Sequence, residues 1–222
     1  MTNAVGKEIK KHPKRSILTS VLLFTLLIAL IEALRLQIWV SVLTIVVISA
    51  LIFLPMIIGK WSKIDIPIVL EIFSVLFIYA TLFLGELKNY YVKFWWWDIL
   101  VHTSSALMFG LIGFIILYVL YKTGKIKTNP KTIAMFAFAF ALSIGALWEI
   151  VEFSMDRYIG TTMQGNSLKD TMLDLIVDSL GALFSAVMGY LYLKNESGIV
   201  VKPVVKEFKK DNPKFFPKKK SK

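Results

Sequence analysis

Six long apolar stretches limit what this chain can become. They lie at 16–34, 38–58, 66–85, 98–121, 132–152 and 171–193, and polar or basic segments separate them. A helix needs about 20 apolar residues to cross the hydrocarbon core of a bilayer. In lipid, only a helix or a closed barrel satisfies every backbone group. The runs are continuous rather than alternating, which excludes a barrel. Mean hydropathy is +0.67 over 222 residues. The predicted fold is an all-α polytopic membrane protein with six transmembrane helices. A basic start over 1–15 precedes the membrane domain at 16–193, and a lysine-rich tail covers 194–222. Arg35 and Gln37 divide the first two stretches and predict a tight turn. The first stretch follows a basic start, as a signal peptide does. Its length and the lack of a small-residue cleavage motif favour a retained helix.

Basic residues set the orientation. With the N-terminus inside, the inner segments hold 21 lysines and arginines and the outer loops 5. Cytoplasmic loops carry this excess. Both termini are therefore expected in the cytoplasm, with the chain in the inner or plasma membrane. Tyr90, Tyr91, Phe94 and Trp95, Trp96 and Trp97 form an expected outer interfacial belt, with the tryptophans alternatively a wall over a polar site. Tyr118, Tyr121, Tyr190 and Tyr192 are expected at inner ends. The tail mixes lysines with prolines and scattered Phe. No spanning or amphipathic period is sustained, so disorder is expected, with attraction to anionic inner-leaflet lipids or, equally, a solvated tail left by topology selection. The lysines follow topology, so nucleic acid is not an expected partner. The chain has no cysteine, which excludes thiolate chemistry and Cys-ligated metal centres.

Ionisable groups inside apolar segments carry the functional signal, because each costs about 2.5–3.5 kcal/mol to insert. Asp98 and His102 open segment four at i, i+4. Glu149, Glu152 and Asp156 close segment five, and Asp170, Asp174 and Asp178 lead into segment six. Each set forms one helical stripe. The stripes continue or are preceded by small residues: Ser105, Ala106, Gly110 and Gly113; Ala141 and Gly145; Gly181, Ala182, Ser185 and Gly189. Small faces let helices approach closely in lipid. Segments four to six are therefore expected to pack around an acidic pocket in the outer half of the membrane.

Seven carboxylates face only Arg157, Lys169 and His102 in nearby sequence. Crowded carboxylates in a low dielectric protonate or gather a cation. Oxygen donors with one imidazole suit Mg²⁺, Ca²⁺, Mn²⁺ or Fe²⁺. Candidate metal ligands are Asp98, His102, Glu149, Glu152, Asp174 and Asp178. Asp156, Asn166 and Asp170 are weaker candidates for substrate contact, with helix capping the plainer role for the two acids. His12 lies in the basic start, away from this set. Glu71 is expected to make a helix-packing hydrogen bond, while Glu32 and Glu86 read as interface residues. No phosphate loop, dinucleotide fingerprint, nucleophile elbow or HExxH motif occurs.

The stretches W-W-D-I-L-V-H-T-S-S-A-L at 96–107, W-E-I-V-E-F-S-M-D at 148–156 and G-N-S-L-K-D-T-M-L-D-L-I-V-D-S-L-G-A at 165–182 resemble the YjdF-like family of inner-membrane proteins. They also resemble, more distantly, the VanZ-like group, with its D-x-x-x-H start and D-x-x-x-D/N-x-x-G-A ending. That group often has Asn where this chain has Asp178. The resemblance implies the helical fold, the polar positions named above and an envelope role. Three functions follow as expectations. The first is a divalent-metal-dependent enzyme acting on a lipid or lipid-linked substrate. The second is a structural or partner-binding protein whose acids organise the bundle. The third is a cation- or proton-coupled transporter, disfavoured by the absence of an internal repeat.

Overall fold

The computed structural model describes residues 13–165, 167–196 and 198–216. All regular structure among them is helical. Six helical stretches are long and apolar enough to cross a membrane: Arg15–Arg35, Trp39–Ser62, Ile68–Leu87, Trp97–Lys122, Pro130–Ile159 and Leu168–Asn195. The chain divides into two compact units, Met1–Phe94 and Trp95–Lys222, where the sequence predicts one membrane domain.

The first unit holds α1 (Pro13–Arg35), α2 (Trp39–Leu51), α3 (Leu54–Ser62), α4 (Ile68–Ile78) and the four-residue α5 (Tyr90–Lys93). The turn after α1 places Gln37 at φ 56°, as its interruption of the apolar run implies. Segment two is not one straight helix. Pro55 lacks the N–H that would reach the Leu51 carbonyl, so α2 stops there and α3 restarts after two intervening residues. Segment three changes winding as well: α4 passes into a π-helix over Tyr79–Leu87. The Thr81 hydroxyl donates to the Phe77 carbonyl at 2.9 Å there, and Tyr79 shares a 2.8 Å hydrogen bond with Thr25 of α1. Leu22, Leu26, Ile45, Ile48, Val75 and Phe83 form the buried core of this unit. Arg15 donates to Glu71 at 2.6 Å, so the hydrogen bond expected of Glu71 ties α1 to α4 as a largely buried ion pair.

The second unit is built on α6 (Trp97–Lys122), α7 (Pro130–Ile159) and α8 (Leu168–Asn195), each in contact with the other two. Their starts follow from capping. Asn129 accepts from the Thr132 N–H with Pro130 in the first turn, and Ser167 accepts from the N–H groups of Lys169 and Asp170. Short connections make neighbours antiparallel. The start of α6, the end of α7 and the start of α8 therefore meet at one end. The small residues do what their spacing predicts. A Cβ on Gly110 would sit 2.6 Å from Ser185 Cβ, and one on Gly181 would sit 3.0 Å from the Thr103 carbonyl. The Ser185 hydroxyl uses that proximity to donate to the Leu107 carbonyl at 3.2 Å.

At the opposite end, Tyr118 is 2% exposed and packs against Phe114 and Tyr192. It lies at the helix end where the sequence places it, and there it is part of the core. Part of the tail is ordered too. A helix α9 (Val201–Asp211) and a short 3₁₀ turn (Pro213–Phe215) close this end, where the sequence reading expects disorder. The eleven residues are too short for a spanning pattern, but Val201, Val204, Val205 and Phe208 share one face and are buried.

Candidate functional site

His102 lies at the centre of the predicted constellation. One turn into α6 it is 4% exposed, and carboxylates from all three helices surround it. Its Nδ1 lies 3.3 Å from Asp178 Oδ2 of α8. Its Nε2 faces Asp98 Oδ1 at 3.8 Å, from its own helix, and Glu149 Oε1 of α7 at 3.9 Å. Ligand atoms of Asp98, His102 and Asp174 all lie within 4.8 Å of one another. Oxygen donors sit about 2.3–2.6 Å from Ca²⁺, so two across an ion are about 4.6–5.2 Å apart. The three side chains therefore have the spacing of a cation site.

Burial grades the set. Asp178 is fully buried, Asp174 and Glu149 nearly so, and Asp98 is the most open, its side chain 31% exposed. The cluster thus has a closed floor and one side nearer the helix ends. Asp178 reaches His102 because α7 presents Gly145 opposite it. A Cβ at 145 would overlap Asp178 Oδ2.

Polar satisfaction is incomplete. Asp178 Oδ1 is buried without a hydrogen bond. Both Glu149 oxygens are buried without a well-aligned hydrogen bond, and the Thr171 hydroxyl is the polar group near enough to approach this carboxyl. Buried polar atoms nearly always find a partner, and each that does not calls for an explanation. If Nδ1–H donates to Asp178, the neutral ring turns its Nε2 lone pair toward two carboxylates. That arrangement is repulsive unless a proton on Nε2, a proton on one of the carboxyls or a bound cation relieves it.

The other candidates take different places. Glu152 is buried, and its Oε1 accepts from the Trp148 indole N–H at 2.7 Å, which holds it one turn from Glu149. Asp156 is occupied with the loop after α7: it accepts from the Thr161 hydroxyl at 2.6 Å and from the N–H groups of Met163 and Gln164 at 2.7 and 2.9 Å. These bonds give it the structural role that an acid at a helix end ordinarily has. Asp170 lies in the first turn of α8, close beneath Gly165. Asn166 is outside the described residues. The tryptophans divide: Trp95 and Trp96 are exposed, whereas Trp97 is buried beside Asp98 in sequence.

Sequence reasoning missed Trp148, Gln164 and Thr171. Trp148 stands at i−4 to Glu152, a spacing that was available to be read. Gln164 donates to the Thr171 hydroxyl at 2.8 Å, a loop-to-helix contact with no sequence signal.

Comparison with known proteins places the chain. A 107-residue stretch, 48% of the chain, is 31% identical to an uncharacterised protein of Thermotoga maritima and covers 54% of that protein. The match spans only about half of the relative's length. No solved structure matches the chain. The family model described as "Predicted membrane protein (DUF2238)" matches residues 15–195, which take in all six apolar helices and every described site residue. The chain belongs to the DUF2238 family of membrane proteins.

Proposed function

We propose that this protein binds a divalent cation through His102, Asp98 and Asp174, with Glu149 as a further donor. The ion serves chemistry on a lipid or lipid-linked envelope substrate at the outer face of the cell membrane. One observation carries the reading: the buried imidazole has acids on both of its nitrogen edges, and nearby carboxylate oxygens lack hydrogen bonds. A cation on the Nε2 side would neutralise Asp98 and Glu149 together. Asp178 would then act through the ring. A carboxylate on the far nitrogen of a metal-binding His fixes its tautomer and raises its basicity. Oxygen-rich donors with one imidazole favour Mg²⁺, Ca²⁺, Mn²⁺ or Fe²⁺. A bound ion of this kind activates water or polarises a phosphoryl or carbonyl oxygen. The outward orientation rests on the lysine and arginine distribution. The resemblance of the three motifs to the YjdF-like and VanZ-like groups favours an envelope role.

A purely structural reading draws on the His102–Asp178 hydrogen bond, which joins α6 to α8 without any ion. Thermal unfolding of the full chain in detergent separates the two. A ligand that binds only the folded state stabilises it, by about 2.7 kcal/mol at 100 times its Kd. Wild type should unfold at higher temperature in divalent ion than in chelator, and Asp174→Asn should lose that response. Insensitivity to chelator together with a more stable Asp174→Asn protein favours the structural reading, because the amide relieves repulsion.

A further inference from the structure

The helix α9 has three faces, and only one of them points outward. Val201, Val204, Val205 and Phe208 are buried, and Asn212 closes the helix by donating its side-chain amide to the Phe208 carbonyl at 3.0 Å. Glu207 and Asp211 lie half-buried to one side. Lys202, Lys206 and Lys210 recur every four residues and are exposed, and the exposed Lys214 follows them in the 3₁₀ turn. Spacing of four places these lysines on one stripe, about 12 Å long from 202 to 210.

The position of α9 gives the stripe a setting. Lys209 Nζ lies 5.3 Å from the centre of the Tyr118 ring, and Lys122 Nζ lies 5.9 Å from the same ring. The helix therefore packs at the lysine-bearing end of α6, about 24 Å along that helix from His102. Lys122 and Lys194 end α6 and α8 at this level. An ordinary interfacial helix buries its apolar face among acyl chains. Here the protein already fills that face, so the helix has only charge to offer the bilayer.

We propose that α9 is a headgroup-binding helix. Its lysine stripe takes the phosphates of anionic phospholipids in the leaflet around this end of the bundle, without inserting into it. Clustered lysines beside membrane helices bind anionic lipid, and the attraction is screened by salt. The placement fits a bilayer better than a soluble polyanion, because α9 is held against helices that themselves cross the membrane.

Full-chain protein in detergent would be titrated with phosphatidylglycerol or phosphatidylcholine, with bound lipid counted by native mass spectrometry. Wild type should prefer phosphatidylglycerol, and the preference should collapse in concentrated salt. The triple variant K202Q/K206Q/K210Q should weaken apparent phosphatidylglycerol affinity by roughly 100-fold at an unchanged lipid-free unfolding temperature. K125Q/K127Q/K131Q, which removes equal charge from the α6–α7 connection and the first turn of α7, should lose far less. Equal binding of the two lipids by wild type overturns the proposal. So does full retention by the α9 variant, or an equal loss in the loop variant. Binding of free phosphate or nucleic acid in preference to phosphatidylglycerol also counts against it.

Discussion

Gly145 sets how near Asp178 can come to α7, and Asp178 in turn sets how His102 is held. A Cβ at 145 collides with the Asp178 carboxylate, so Gly145→Ala must displace that carboxylate or the helix carrying it and disturb its hydrogen bond to His102. Overpacking at such a contact costs about 1–3 kcal/mol. Gly145→Ala is therefore expected to lower unfolding stability by that amount and to blunt the response to divalent ion. In the Gly145→Ala/Asp178→Ala double variant the two costs should fall short of their sum, since the collision has gone. Denaturant unfolding of the four proteins measures this. Additive losses would mean that the two positions do not meet.

At this scale the sequence is a good guide to which acids come together and a weaker guide to the contacts each makes. Helical spacing alone gathers Asp98, His102, Glu149, Asp174 and Asp178, because residues four apart share a face and small residues let the faces close. It does not reveal that Asp156 is spent on the 161–164 backbone, since that depends on the path of a loop. Nor does it place Asp178 and Asp98 on opposite edges of one ring, which depends on helix rotation.

Among the elements, α6, α7 and α8 make the site by approaching more closely than large side chains permit. Gly181 faces Ala106 and the Thr103 carbonyl, and backbone cannot step aside as a flexible side chain can. Gly181→Leu is expected to separate α6 from α8 and to prevent accumulation of folded protein. Leu180→Ala, one position away on an exposed face, should stay within about 0.5 kcal/mol of wild type. Expression level with the unfolding temperature of whatever folds provides the readout. Tolerance of Gly181→Leu would contradict the close packing. Helix existence was legible in the six apolar runs, but helix detail was less so. Pro55 marks the interruption of segment two in plain sight. The π-helix over Tyr79–Leu87 leaves no composition signature. The helix α9 was legible as well: Val201, Val204, Val205 and Phe208 stand at i, i+3, i+4 and i+7, a period that the lysines and prolines around them obscure.

For the whole molecule, the lysine and arginine distribution predicts both termini in the cytoplasm and the His102 cluster toward the outside. Reporter fusions after Leu34 and near Gln164 should read outside, and fusions near Lys125 and at the C-terminus inside. A cytoplasmic Gln164 would turn the site toward the cell interior and remove the outer-leaflet substrate from consideration. The family match over residues 15–195 includes the first unit, so that unit is part of the family's common frame rather than an appendage. Elemental analysis of purified full-chain protein reads out the proposed divalent cation without any assumption about its chemistry. Wild type should carry close to one divalent ion per chain. Asp174→Asn and His102→Ala, each confirmed as folded by circular dichroism, should carry far less. Wild type free of metal after purification and after incubation with Mg²⁺, Ca²⁺, Mn²⁺ or Fe²⁺ would mean that the His102 cluster holds no cation.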